Sequence, residues 1–124
     1  MPAIPFSAEV SGGPELATIG LHGDINAAAD GGLGAAWEAA RALGAGVVLL
    51  DFSDAAYINS TGIALIVQLL ADAGRNGLEV RACGLSPHYV EIFQITRLSD
   101  YIRIFDDAAS ATTAVAATPA GGER

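Results

Sequence analysis

The chain contains no lysine. Its six basic residues are all arginine, at positions 41, 75, 81, 97, 103 and 124, and they are scattered. No basic stripe is available to neutralise a run of phosphates, which argues against nucleic acid as a partner. The missing lysine also removes the phosphate-gripping side chain of a Walker loop, so Gly31-Gly32-Leu33-Gly34 is not read as one. Fourteen acidic residues give a net charge of -8. That balance disfavours anionic membranes and favours a basic or mixed-charge protein partner. Cysteine is nearly absent too. Cys83 stands alone among apolar residues, so no disulfide can form within the chain, and a buried small hydrophobe is expected. The two histidines, His22 and His88, are far apart, and no Cys/His or Asp/Glu cluster has ligand spacing. Both histidines are read as surface or interface residues, with no metal and no cofactor implied. The longest apolar run, residues 63–71, is broken by Gln68 and falls short of the roughly 20 residues of a membrane span. Met1-Pro2-Ala3-Ile4-Pro5 has neither the charged nor the apolar region of a signal peptide. A cytoplasmic protein without membrane insertion is expected.

What the sequence has is apolar material. Hydrophobic residues make up 52% of 124 positions, enough for the core of one domain. Phe6, Ala8 and Val10 alternate with polar residues and predict a strand; residues 16–22 predict a second, with Gly12-Gly13-Pro14 as the turn of a hairpin. Leu33, Ala36, Trp37, Ala40 and Leu43 have helical spacing, and Gly44 and Gly46 end that helix. Residues 47–51 and 78–84 are short apolar runs, the pattern of strands covered on both faces. Residues 52–58 read as a loop. Residues 61–74 read as a helix apolar on nearly every side and hence well buried. Ser86-Pro87 starts another helix, which runs to about Thr96. Residues 101–105 alternate as a last strand, and Asp106-Asp107 cap a weak helix over 108–115. The implied architecture is a single α/β domain over residues 4–115 with a flexible tail at 116–124. Its sheet is mixed and mostly parallel, with about five strands, about four helices and an opening β-hairpin.

The one polar interruption in the most apolar region is Asn59-Ser60-Thr61-Gly62. Such residues cap helices, because their side-chain oxygens satisfy the free amides of a first turn. A helix start also tolerates a phosphate, since its amides are unpaired and its dipole end is positive. Ser60 lies between a strand and a helix, as hydrolase nucleophiles do. Only half of a Gly-x-Ser-x-Gly elbow is present, however, with Ile58 where its first glycine would be.

These residues resemble a STAS domain and, within that family, the anti-sigma factor antagonists. Val48-Leu49-Leu50-Asp51-Phe52-Ser53, then Asn59-Ser60-Thr61-Gly62-Ile63, is similar to the family's strand, loop and Asp-Ser-(Ser/Thr)-Gly-Leu signature. Leu21-His22-Gly23-Asp24-Ile25-Asn26 is similar to its Gly-Glu-(Ile/Leu)-Asp turn. Leu85-Ser86-Pro87, Val90, Phe93, Leu98 and Phe105-Asp106 resemble its C-terminal third. The resemblance implies a non-enzymatic switch. The unphosphorylated antagonist binds an anti-sigma factor serine kinase of the histidine-kinase ATPase fold and so frees a sigma factor. Phosphorylation, which maps onto Ser60 and not Thr61, releases the kinase, and a phosphatase resets the cycle. Asp24, Asn26, Asn59, Ser60, Thr61 and Gly62 map onto the partner-binding surface. Asn59 and Asn26 stand where the family has acids, while Asp24 keeps a carboxylate. Two other readings within the family are a subunit bound to the ATPase of a lipid-trafficking ABC transporter and a ligand-sensing module.

Overall fold

Nine successive residues of one strand show how the alternation builds the sheet. In β2 (Ala17–Ile25), Ala17, Ile19, Leu21, Gly23 and Ile25 are buried, and the residues between them are half-exposed. The computed structural model describes residues 4–117. β2 pairs antiparallel with β1 (Ser7–Gly12) to form the expected opening hairpin. It pairs parallel with β3 (Val47–Ile58), which pairs parallel with β4 (Glu79–Cys83), which in turn pairs parallel with β5 (Arg103–Phe105). The sheet order is therefore β1-β2-β3-β4-β5. As expected, the apolar runs at 47–51 and 78–84 lie in the interior of the sheet.

The helices are α1 (Asp30–Ala42), α2 (Ser60–Arg75), α3 (Pro87–Ile95) and α4 (Ala108–Ala117). Short 3-10 turns precede α1 and follow α3. The large core joins Ile19, Leu21 and Ile25 of β2, Val48 and Leu50 of β3, and Val80 and Ala82 of β4 with residues of α1, α2 and α3. Trp37 is buried there as its spacing predicts, and its indole N–H donates to the Asp72 carboxylate over 2.7 Å. The intervening strand residues face the other side, where Leu49 and Cys83 pack with Ala111 of α4. Cys83 is fully buried as expected, and burial, helped by the charge of Asp51, pushes its thiol up to about 12. Asp107 caps α4, accepting from the Ser110 amide over 2.8 Å, and this hydrogen bond holds its carboxyl below the usual range.

Four expectations need correction. Residues 52–58 are not a loop but the second half of a 12-residue strand. β2 runs on to Ile25 and supplies the pairing, His22 with Asp54 and Ile25 with Ile58, so a neighbouring strand overrides weak local propensity. The helix after it is not buried all round. Leu65, Ile66, Leu69 and Leu70 face the core, but Val67 is 45% exposed and Ala64 and Ala71 are also exposed. The last strand begins at Arg103, because Tyr101 closes a 3-10 turn instead. The last helix extends to Ala117, two residues into the expected tail, and residues 118–124 lie outside those described.

One buried group was not foreseen at all. Arg81, in the middle of β4, is 2% exposed. Its guanidinium donates to Glu79 and to the Ala111 carbonyl, each over 2.7 Å, and lies over the Phe105 ring. It thereby fastens α4 to the sheet. Burial pushes the Glu79 carboxyl up, but the hydrogen bonds and charges of Arg81 and Arg103 outweigh that, and its net shift is downward.

Candidate functional site

The parallel strands β2 and β3 end side by side, with Ile25 paired to Ile58. The turn at Asp24–Asn26 and the start of α2 therefore share one end of the sheet, as expected from carboxyl-end placement. Each strand hands over to a helix through an asparagine. Asn26 accepts from the Ala28 amide over 2.9 Å and caps the 3-10 turn Ala27–Ala29. Asn59 accepts from the Gly62 amide over 2.8 Å and caps α2. In both places the side-chain oxygen of asparagine does the capping work of a carboxylate oxygen.

The two strand ends are also joined directly. The Asn59 amide donates to the Ile25 carbonyl over 3.2 Å. Gly62 is buried against that same carbonyl, and a Cβ at Gly62 would run into it. Glycine is needed here for close approach of backbone to backbone. Of the six residues expected to bind a partner, Gly62 thus shapes the surface from beneath.

Ser60 and Thr61 occupy the first two positions of α2, and both are exposed. Asn59, not Ser60, is the cap, so the Ser60 hydroxyl is left without a hydrogen bond among the described residues. The amides of Ser60 and Thr61 likewise have no acceptor among the described residues. This corner offers the hydroxyls of Ser60 and Thr61 and their two amides, none with a partner among the described residues, at the positive end of a helix of 16 residues. No charged residue occurs in sequence from position 55 to position 71.

Asp24 sits at the same end but is already engaged. Its carboxylate accepts from the Ile4 amide over 3.0 Å, and its own amide donates to the Ile4 carbonyl over 2.9 Å. Gly23, at φ +81°, lets the chain turn under Pro5. Asp24 thus clasps the segment that precedes β1, a role its sequence context does not reveal.

Neither histidine touches Ser60. His22 lies between Glu9 and Asp54 at 3.1 and 3.2 Å, and His88 is exposed with its ring against Tyr89. Among the described residues no group of three His, Cys, Asp or Glu is arranged to hold a metal ion. No described helix is long and apolar enough to cross a membrane.

A family model for the STAS domain matches residues 8–111. The chain belongs to the STAS family. The solved STAS-like structures it resembles include an anti-sigma factor antagonist from Mycobacterium paratuberculosis. That neighbour has 17% identity and a TM-score of 0.76, over 90% of this chain and 95% of its own. The Bacillus cell fate determinant SpoIIAA in its phosphorylated form matches with a TM-score of 0.65 and 16% identity, over 88% of this chain and 98% of its own. SpoIIAA in its unphosphorylated form, itself named an anti-sigma factor antagonist, matches with a TM-score of 0.67 at the same identity, over 88% of this chain and 94% of its own. At these identities the likeness is one of fold. No curated protein sequence matches this chain significantly.

The sequence reading missed one contributor to the corner. Tyr89 of α3 accepts from the Ile58 amide over 2.9 Å. Its contact lies 31 residues away in sequence, and no local pattern marks it.

Proposed function

We propose that this STAS domain is an anti-sigma factor antagonist. Unphosphorylated, it binds an anti-sigma factor serine kinase of the histidine-kinase ATPase fold, and a sigma factor is released. Phosphorylation of Ser60 ends the complex, and a phosphatase restores it. The domain acts in the cytoplasm and is itself no enzyme. The observation that carries this reading is the exposed hydroxyl of Ser60, without a partner among the described residues and beside two free amides, in a STAS fold whose neighbours include antagonists. The phosphorylated form of SpoIIAA supports it from outside the chain.

In the transfer the Ser60 oxygen attacks the γ-phosphorus of ATP, the bond to ADP breaks, and the hydroxyl proton passes to a base on the kinase. The phosphoserine brings about -1.5 to -2 charges to an uncharged stretch. At the helix start the dipole and the two amides accept that charge, worth about 0.3–1 kcal/mol at an exposed site. Across an interface the same charge faces desolvation and repulsion of several kcal/mol, so docking fails while the fold survives. Asp24, Asn26, Asn59 and Thr61 form the docking surface around Ser60, with Gly62 below it.

The test is incubation with the anti-sigma kinases of the source genome, each purified, and magnesium ATP, followed by mass spectrometry of wild type and Thr61→Ala. Phosphate on Ser60 in both is expected. Phosphate only on Thr61, or none while an ATPase stays tightly bound, overturns the switch in favour of the transporter-subunit reading.

A further inference from the structure

Ser60 is held by its neighbours, since its own side chain has no partner among the described residues. β4 accompanies β3 only as far as the pair Asp51 and Cys83. Beyond Asp51 the edge of β3 that faced β4 has no strand beside it among the described residues. A cleft of about 190 Å³ opens there, lined by Ser53, Ile58, Gly84 and Tyr89 among others. A strand end with a free edge can fray, and this one carries Ser60 two residues further on.

The Tyr89 phenol closes that edge at its last residue. It accepts the Ile58 amide over 2.9 Å and lies 3.4 Å from the Ile58 carbonyl, a long contact for its own proton. Its ring packs against the main core, so the oxygen has a rigid mount. The junction is then fixed from three sides. Tyr89 holds the Ile58 amide, Ile25 holds the Asn59 amide, and the Asn59 side chain holds the Gly62 amide. We infer that Tyr89 is a positioning residue for the modification of Ser60: its hydroxyl stands in for the missing strand and sets the angle at which the chain presents Ser60.

This inference rests on the reading of Ser60 as the phosphoacceptor. Part of the docking surface, Asp24 and Asn26, lies on the far side of β3 from Tyr89 and does not run through it. Loss of the phenol oxygen therefore lowers the rate of transfer within the complex more than the affinity for it. The experiment compares wild type, Tyr89→Phe and Thr96→Val with the purified anti-sigma kinases of the source genome and magnesium ATP. Thr96→Val also deletes a hydroxyl hydrogen bond at α3, that to the Ile92 carbonyl, but one remote from Ile58. In Tyr89→Phe, kcat for Ser60 falls roughly 3- to 10-fold, the worth of one hydrogen bond, at nearly constant KM. Amide exchange at Ile58 speeds up with it, and Thr96→Val leaves both unchanged. An unchanged kcat in Tyr89→Phe, while wild type is phosphorylated on Ser60, overturns the positioning role and spares the proposed function. A rise in KM alone also overturns it, by making Tyr89 a direct contact. Equal losses in Tyr89→Phe and Thr96→Val reduce it to general stability. Absence of phosphate from wild-type Ser60 overturns the function and this inference together.

Discussion

The two ends of α2 are built on opposite plans. At its C-terminal end every strong group is used. Asp72 accepts from Trp37 and lies within 3.5 Å of Arg41 and 3.3 Å of Arg75, while Asn76 ties back to the Asp72 carbonyl. Trp37, followed by the two arginines, holds the Asp72 carboxyl below its usual range despite some burial. At the N-terminal end Asn59 bonds inward, and the hydroxyls and amides of Ser60 and Thr61 have no partner among the described residues, in an uncharged stretch. A helix stabilised at one end can carry unsatisfied donors at the other at little cost, provided they face water. The difference sets an end whose groups are paired within the chain against one whose donors face water.

The sharpest way to break that contrast is to add charge at the open end. Ser60→Asp should weaken the proposed kinase complex by about 30-fold or more, read by calorimetry or surface capture, since an uncompensated interfacial charge costs about 2–5 kcal/mol. Its melting temperature should move little, because a carboxylate suits a helix start. Ser60→Ala should keep the partner. Next in size is Gly62→Ala. Its methyl group meets the Ile25 carbonyl, so overpacking should cost about 3 kcal/mol in denaturant unfolding. Smaller again is Asn59→Ala, which uncaps α2 and should cost about 1 kcal/mol. Asn59→Asp should restore the cap in full, and an equal loss in both variants would mean that the hydrogen bond to Gly62 contributes nothing.

The smallest effect tests the paired end. The folded Asp72 carboxyl titrates below its ordinary value, so the stability it confers is present at neutral pH. That stability is lost as pH falls from about 4 through the lowered value. Trp37→Phe removes the largest cause of the shift. Thermal melts between about pH 2 and 6 should show a shallower acid loss in the variant. A pH profile identical to wild type would put the shift on the arginines instead.

Local pattern made the element order legible, because burial imprints a period on each segment. The interior strands, the α1 face carrying Trp37 and the Ser86-Pro87 start of α3 are all cases of this. It also made Ser60 legible, as the polar break between a strand and an apolar helix. The second half of β3 was hidden, because Ser53-Asp54-Ala55-Ala56 has no strand character of its own and is extended only by pairing with β2. Which of Asn59, Ser60 and Thr61 caps the helix was open, since all three residue types can. The Ile4 clasp on Asp24, the Tyr89 tether and the Arg81 fastening depend on contacts over 20 to 31 residues, and no period records those.

The lone thiol under α4 makes that last fastening measurable. Cys83 is sealed by Ala111, and with its thiol near 12 almost none is ionised at neutral pH. An alkylating reagent can reach it only during moments when the C-terminal helix lifts from the sheet. The labelling rate then counts those openings, and Arg81→Met should quicken the clock without altering anything at Ser60.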